Sequence, residues 1–119
     1  MTGTAGISIA RVYDGADTGP AARLLVDRLW PRGLTRDKAA VDHWIKEVAP
    51  SSELRKWFGH DPERWPEFRR RYRAELKKNP ALAELRALAR KGSITLLYSA
   101  KDEQHNQAVV LKQVLDGGA

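Results

Sequence analysis

Residues 23–33 read RLLVDRLWPRG. Leu24, Leu25 and Val26 have the character of a buried strand, yet the run passes directly into Asp27, Arg28, Trp30 and Arg32, with Pro31 and Gly33 ending the strand pattern. A carboxylate, two guanidinium groups and an indole at the end of a buried strand call for something that meets them there. In open α/β sheets ligands collect at the carboxyl ends of the strands. Arg28 and Arg32 are candidates for holding an anion, Trp30 for stacking on a base or ring, and Asp27 for handling a proton.

A second polar segment, SAKDEQHN, occupies residues 99–106. A helix start exposes unpaired backbone N–H groups and a partial positive charge, which suits an anion, and Lys101 would reinforce both. Asp102 and Glu103 are also placed to satisfy those amides themselves, and residues 99–102 resemble a capping box, so a self-capped helix start is the competing reading. His105 and Asn106 then fall one turn into that helix. A histidine, with an ordinary pKa of about 6.5, is suited to acid–base work there. His105 therefore joins Asp27 as a proton-handling candidate, and Lys101, Asp102 and Asn106 join the ligand-binding set. His60 is a further candidate, because the neighbouring Asp61 suggests an oriented base, although Asp61 also fits as a helix cap ahead of Pro62.

Several chemistries drop out. His43, His60 and His105 lie far apart and match no metal-ligand spacing, so no metal site is expected, although Asp14 or Asp27 is able to recruit a divalent cation transiently. No GxSxG, GxxxxGK[ST] or GxGxxG pattern occurs, which removes serine-hydrolase, P-loop and dinucleotide readings, and no cofactor is expected. The chain has no cysteine, hence no disulfide, thiolate metal site or cysteine nucleophile.

The densest basic run is Arg69, Arg70, Arg71 and Arg73, with Lys77 and Lys78 beyond it. On a helix, Phe68, Tyr72 and Leu76 take one side and the arginines spread around the rest. That face reads either as a nucleic-acid contact through phosphates or as a solvated surface, in which Glu63, Glu67 and Glu75 pair with it, for example Glu67 with Arg71.

These residues must be positioned by the elements around them. Residues 7–13 alternate and are β-branched, predicting a first strand, followed by a turn over 14–20. A second strand is expected over 24–29, a loop or short helical turn over 34–41, and the alternation of 42–48 permits a third strand. A capped helix start at 50–53 leads to the apolar face of Leu54, Trp57 and Phe58, stopped by Gly59. Asp61-Pro62-Glu63 opens the next helix, with Trp65, Phe68, Tyr72 and Leu76 as one stripe. Asn79-Pro80 begins a third, carrying Leu82, Leu85 and Leu88 and ended by Gly92. Residues 93–98 (SITLLY) are a buried strand, 103–115 a helix with Val110, Leu111, Val114 and Leu115 inward, and the last three residues fray. Strands alternating with helices predict a single α/β domain over 1–119, a mostly parallel sheet flanked by helices. Parallel strands bring Asp14, the 27–32 group and 99–106 to one edge, where the 59–61 loop adds His60.

The totals agree with this scale. A chain of 119 residues is sized for one domain with a proper core. No apolar run reaches the roughly 18–20 residues of a membrane span, so no membrane partner is expected. The N-terminus lacks a basic start followed by a long apolar stretch, so no signal peptide is expected and a cytoplasmic location is. Lys and Arg outnumber Asp and Glu by 21 to 15, a formal charge of +6, which favours anionic partners.

RVYD at 11–14, LVDRLWPRGL at 25–34, the WxKExAPS arrangement at 44–51, ELRKWFGHDPERW at 53–65, FRRRYRAEL at 68–76 and TLLYSAKDEQHNQAVVLK at 95–112 resemble the domain-of-unknown-function 488 family, in its YeaO-like branch. The resemblance covers nearly the whole chain, and only 15–22 looks variable. It implies an α/β fold in a small bacterial family without an established activity. It also implies a concentration of polar motif residues (Asp27, Arg28, Arg32, His60, Lys101, Asp102, His105 and Asn106) at the edge derived above.

The leading expectation is a protein, enzyme or binding module alike, acting on a phosphate-bearing ligand such as a nucleotide or nucleic-acid end at the strand C-terminal edge. A non-catalytic nucleic-acid module using residues 69–73 is one alternative. A purely structural ion network of Asp27, Arg28 and Arg32, pinning the loop after the second strand to the final helix, is the other. The residues specify no oligomeric state.

Overall fold

The apolar run SITLLY forms the central strand of a parallel sheet. The structure, a computed structural model, describes residues 6–14 and 21–117. Strands β1 (Ile7–Arg11), β2 (Ala22–Leu25), β3 (His43–Trp44) and β4 (Ile94–Tyr98) lie in the order β1-β4-β2-β3, and every pairing is parallel. Ile94 sits opposite Ile7 on one side and Ala22 on the other, so β4 has a neighbour along both edges. All five β4 residues are buried. A parallel strand covered on both faces reads as an unbroken apolar run rather than as an alternation.

Helices α1 (Arg36–Ala39), α2 (Ser52–Phe58), α3 (Trp65–Lys77), α4 (Ala81–Lys91) and α5 (Gln107–Leu115) complete the α/β fold expected from the sequence. The two-residue period of the strands divides the core. Leu24 and Leu96 pack into the larger cluster with Phe58, Phe68, Tyr72, Leu85 and Leu111 from α2 to α5. Leu25 and Leu97 point the other way, to a smaller cluster with Val12 and Ala39, against which Trp30 and Trp44 pack. The stripe on α3 behaves as its spacing predicts: Phe68, Tyr72 and Leu76 are buried, and Phe68 stacks on Phe58 at 4.3 Å between ring centroids. Ser51 caps α2 by accepting from the Leu54 amide, while Glu75 of α3 accepts from the Ser51 amide at 2.9 Å and its hydroxyl at 2.6 Å. The Tyr72 hydroxyl donates to the Val48 carbonyl at 2.6 Å. Together these bonds fix the 46–51 segment, which becomes one wall of the site.

Four expectations change. The first strand ends at Arg11, and Val12–Asp14 close a 3-10 turn. The second runs over Ala22–Leu25 rather than 24–29; the Val26 amide still donates to the Leu97 carbonyl, after which the chain leaves the sheet at Asp27. The strand permitted over 42–48 shrinks to His43–Trp44, because Lys46–Val48 form a 3-10 turn. Ile45 and Val48, three apart, are both buried, a spacing that an alternating strand does not give. The last helix starts at Gln107, not at 103, with Asn106 as its cap. Asp102 instead closes its own turn, its Oδ1 accepting from the Gln104 and His105 amides, the local bonding by which aspartate competes with helix. His105 and Asn106 therefore precede the helix rather than lie within it. The 34–41 stretch holds the four-residue α1, capped by Thr35. Most of the 14–20 turn and the last two residues of the frayed end lie outside the described residues. No helix among the described residues is long and apolar enough to cross a membrane.

Candidate functional site

The carboxyl edge of the sheet opens into a cavity of about 710 Å³. All nine candidate residues line it. Asp27, Arg28, Trp30 and Arg32 come from the loop after β2, and His60 from the turn after α2. Lys101, Asp102, His105 and Asn106 come from the loop between β4 and α5. Asp14 is exposed and is not on its wall.

Asp27 lies on the buried side of the cavity and is only 7% exposed. The Gln107 side-chain amide donates to its Oδ1, and the Trp44 indole donates to its backbone carbonyl at 2.8 Å. Burial pushes its carboxyl above the ordinary value; hydrogen bonds from Ser99 and Gln107 and the charge of Arg55 act in the opposite direction and are outweighed. The structural ion network expected from Asp27, Arg28 and Arg32 is not formed among the described residues. Arg28 spends its guanidinium on carbonyls, Nε and Nη2 donating to Pro50 at 3.3 and 3.2 Å and Nη2 to Ala49 at 3.1 Å. It pins the loop after β2 to the 46–51 wall, not to α5. Arg32 is exposed, and its backbone carbonyl, rather than its side chain, accepts from the Tyr13 hydroxyl at 2.8 Å. The link from this loop to α5 runs through the neutral amide of Gln107.

Trp30 is fixed by its indole N–H, which donates to Leu34, and packs edge-on against Trp44 at 5.5 Å, with the Arg36 guanidinium 4.9 Å from its ring centre. In the loop between β4 and α5, Asp102 Oδ2 lies 2.8 Å from His105 Nδ1, and the imidazole edge meets Trp65 at 5.2 Å. The Gln104 amide and then the His105 ring hold the Asp102 carboxyl below its ordinary value. Such an acid orients the imidazole and leaves Nε2 as the nitrogen available to a ligand. Asn106, 2% exposed, accepts from the Ala108 and Val109 amides and donates to the Asp102 carbonyl, locking the loop to α5. His60 holds a left-handed φ of 58°, its ring 6.3 Å from Phe58. Among the described residues no three His, Asp or Glu side chains gather as a metal site would require.

The cavity also contains residues that sequence reasoning passed over. Arg11 ends β1 and Tyr13 follows it; the Arg11 guanidinium lies 4.8 Å from the Tyr13 ring centre while its Nε donates to the Ala100 carbonyl. Arg55 projects from α2, Gln107 opens α5, and Phe58 and Phe68 give an apolar wall. Arg55 carries no local signal, since its neighbours read as an ordinary polar helix face; Gln107 was within reach as the residue following the SAKDEQHN segment.

Fold and site together define a small α/β protein with a parallel sheet and a cavity of ligand dimensions at its carboxyl edge. The chain belongs to the DUF488-N3i family, described as the inactive DUF488-N3 subclade, whose model matches residues 6–118. It is 44% identical over 111 residues to an uncharacterized protein of Mycobacterium tuberculosis strain H37Rv, covering 93% of this chain and 94% of that one. The match to an uncharacterized protein of Mycobacterium bovis is of the same extent. With the uncharacterized protein YeaO of Escherichia coli K12 it shares 45% identity over 106 residues, 88% of this chain and 92% of the relative. No solved structure matches the chain.

Proposed function

We propose that this protein binds a phosphate-bearing ligand, a nucleotide or a nucleic-acid end, in the cavity at the carboxyl edge of the sheet. One observation carries the reading. Arg32, Arg55 and Lys101 line the cavity as exposed cations, and no protein hydrogen bond or ion pair engages their side chains among the described residues. Guanidinium forks and an ammonium group suit phosphate oxygens, and Trp30 supplies a fixed ring beside them. The volume falls within the roughly 300–1,000 Å³ of small-molecule clefts. Description of the family as inactive favours binding over turnover. Asp27 and His105 then serve as the groups that exchange protons or hydrogen bonds with the bound ligand, with His60, Asp102 and Asn106 shaping the wall. A cytoplasmic location accords with such a ligand and with a cysteine-free chain.

The basic face of α3 has less to offer a nucleic acid. Arg70 and Arg71 both bond Glu67, whose carboxyl they pull down to about 2, and Arg69 donates to Gln113 at 3.1 Å. Thermal unfolding against nucleotides, sugar phosphates, polyphosphate and short DNA and RNA tests the choice. A ligand at 100 times its Kd adds about 2.7 kcal/mol, and the shift is expected to vanish in Arg32→Ala and Arg55→Ala. No shift from any phosphate-bearing ligand would sink the proposal. Binding lost only when Arg69, Arg70, Arg71 and Arg73 are replaced together would move the function to α3.

A further inference from the structure

The cavity is chemically polarised from its buried side to its mouth, and this polarity selects both the ligand and its direction of entry. The Asp27 carboxylate is buried, and among the described residues no cationic side chain forms an ion pair with it. Its hydrogen-bond donors, the Gln107 amide and Ser99, are neutral, and Arg55 acts on it through its charge without an ion pair. At the mouth stand the exposed Arg32, Arg55 and Lys101. A phosphate pushed against Asp27 would face a buried carboxylate that no ion pair neutralises, a costly arrangement of like charges. The phosphate therefore belongs at the mouth, and the inner part of the ligand must bring hydrogen-bond donors, because an ionised carboxylate only accepts. Phe58, Phe68 and Trp30 line the same cavity and suit a flat ring.

We propose that the cavity takes a nucleotide base-first, a guanine-type edge donating its two adjacent N–H groups to Asp27 while the phosphate meets Arg32, Arg55 and Lys101 at the mouth. This rests on the phosphate-bearing ligand proposed above and adds which end lies inside. Guanine presents a ring N–H and an exocyclic amine side by side, a pair that matches the two oxygens of one carboxylate. Adenine and cytosine place an acceptor beside their amine, and uracil flanks its single N–H with carbonyls. Hypoxanthine keeps the ring N–H and lacks the amine. The buried carboxyl, already made less comfortable as an anion by its surroundings, gains donors from guanine alone among the common bases in this two-point fashion.

Isothermal titration of the full chain with guanosine, inosine, adenosine, cytidine and uridine monophosphates, and with inorganic phosphate, reads the inference directly. Guanosine monophosphate is expected to bind about tenfold or more tighter than inosine monophosphate, the discrimination typical of a bidentate base contact. Asp27→Asn offers one donor and one acceptor in place of two acceptors. Its preference is expected to pass to xanthosine monophosphate, which carries a carbonyl where guanine has its amine. Should Asp27→Asn fail to fold, the guanosine–inosine comparison on the unaltered protein decides alone. Equal binding of every monophosphate, or preference for another base, overturns the base-inward arrangement and leaves the phosphate site standing. Absence of binding by all of them, phosphate included, overturns both.

Discussion

Gln107 donates its side-chain amide to Oδ1 of Asp27, joining the first residue of α5 to the loop after β2 across 80 positions of sequence. The contact exists because β4 lies between β1 and β2, so that the connection from β4 into α5 opens over the same edge at which β2 ends. It also determines the character of the site. A buried acid held by the neutral donors of Gln107 and Ser99, with the Arg55 charge acting on it but no ion pair among the described residues, keeps acceptor capacity that one forked by arginine would lose.

Asp27→Asn should separate this acid's stability cost from its chemistry. Burial raises its folded-state pKa above the ordinary 3.8, so the native state holds a proton that the unfolded chain has released. Stability therefore falls as pH rises from the unfolded value through the folded one, and the full cost persists above it. The asparagine variant, free of this term, should gain stability relative to the unaltered protein between about pH 4 and neutrality. Urea midpoints measured across that range check it; a difference that does not change with pH would show that Asp27 titrates normally in the fold.

Two arginines five positions or fewer from Asp27 should behave oppositely. Arg28 holds the Ala49 and Pro50 carbonyls, and Arg28→Ala leaves these acceptors bare, at a cost of about 2 kcal/mol or more. Arg32→Ala removes an exposed side chain while keeping the backbone carbonyl that Tyr13 uses, so stability should move by no more than about 0.5 kcal/mol. Its effect should appear in nucleotide binding instead. Loss of fold in Arg32→Ala would mean that its side chain is structural.

That contrast lay beyond the sequence, in which Arg28 and Arg32 are two similar cations in one loop. Periodicity was legible wherever one face had to be buried: the α3 stripe and the β4 run appear in the fold as they read. Convergence of the loops after β2 and β4 was legible too, because parallel strands leave no other arrangement of their ends. Local competition was not. Asp102 had two uses for its carboxylate, capping a helix or closing a turn, and the turn prevailed, delaying α5 to Gln107. Residues 42–48 satisfied a strand pattern while burying Ile45 and Val48 at a spacing of three. Arg55 became a wall residue only through the packing of α2 against the sheet edge, which no neighbouring residue announces.

Asn106→Ala should be among the more damaging single substitutions in the site. The side chain satisfies two amides at the start of α5 and donates back to the Asp102 carbonyl at 2.9 Å, in a position only 2% exposed. Caps of this kind contribute about 1–2 kcal/mol. Asn106→Asp retains the acceptor and loses the donor, so it should fall between the two in denaturant stability. If alanine and aspartate prove equally harmful, the bond to Asp102, rather than the cap, holds the loop.

His60 and Ala40 are the two non-glycine residues of positive φ among those described, at 58° and 50°. Each places a Cβ where the left-handed backbone disfavours it, at about 1–2 kcal/mol. Ala40 follows α1, lines no part of the cavity and offers only a methyl group, so Ala40→Gly should stabilise by about 0.5–1 kcal/mol without touching ligand binding. His60 sits on the cavity wall, and its strain is of the kind that persists where a side chain is needed. His60→Gly should relieve the same backbone cost, lose the contact with Phe58, and weaken nucleotide binding while leaving the protein folded. Thermal midpoints and titrations of both variants make the comparison. Equal binding by the two glycine variants and the unaltered protein would remove His60 from the site and leave its strained conformation as a feature of the turn alone.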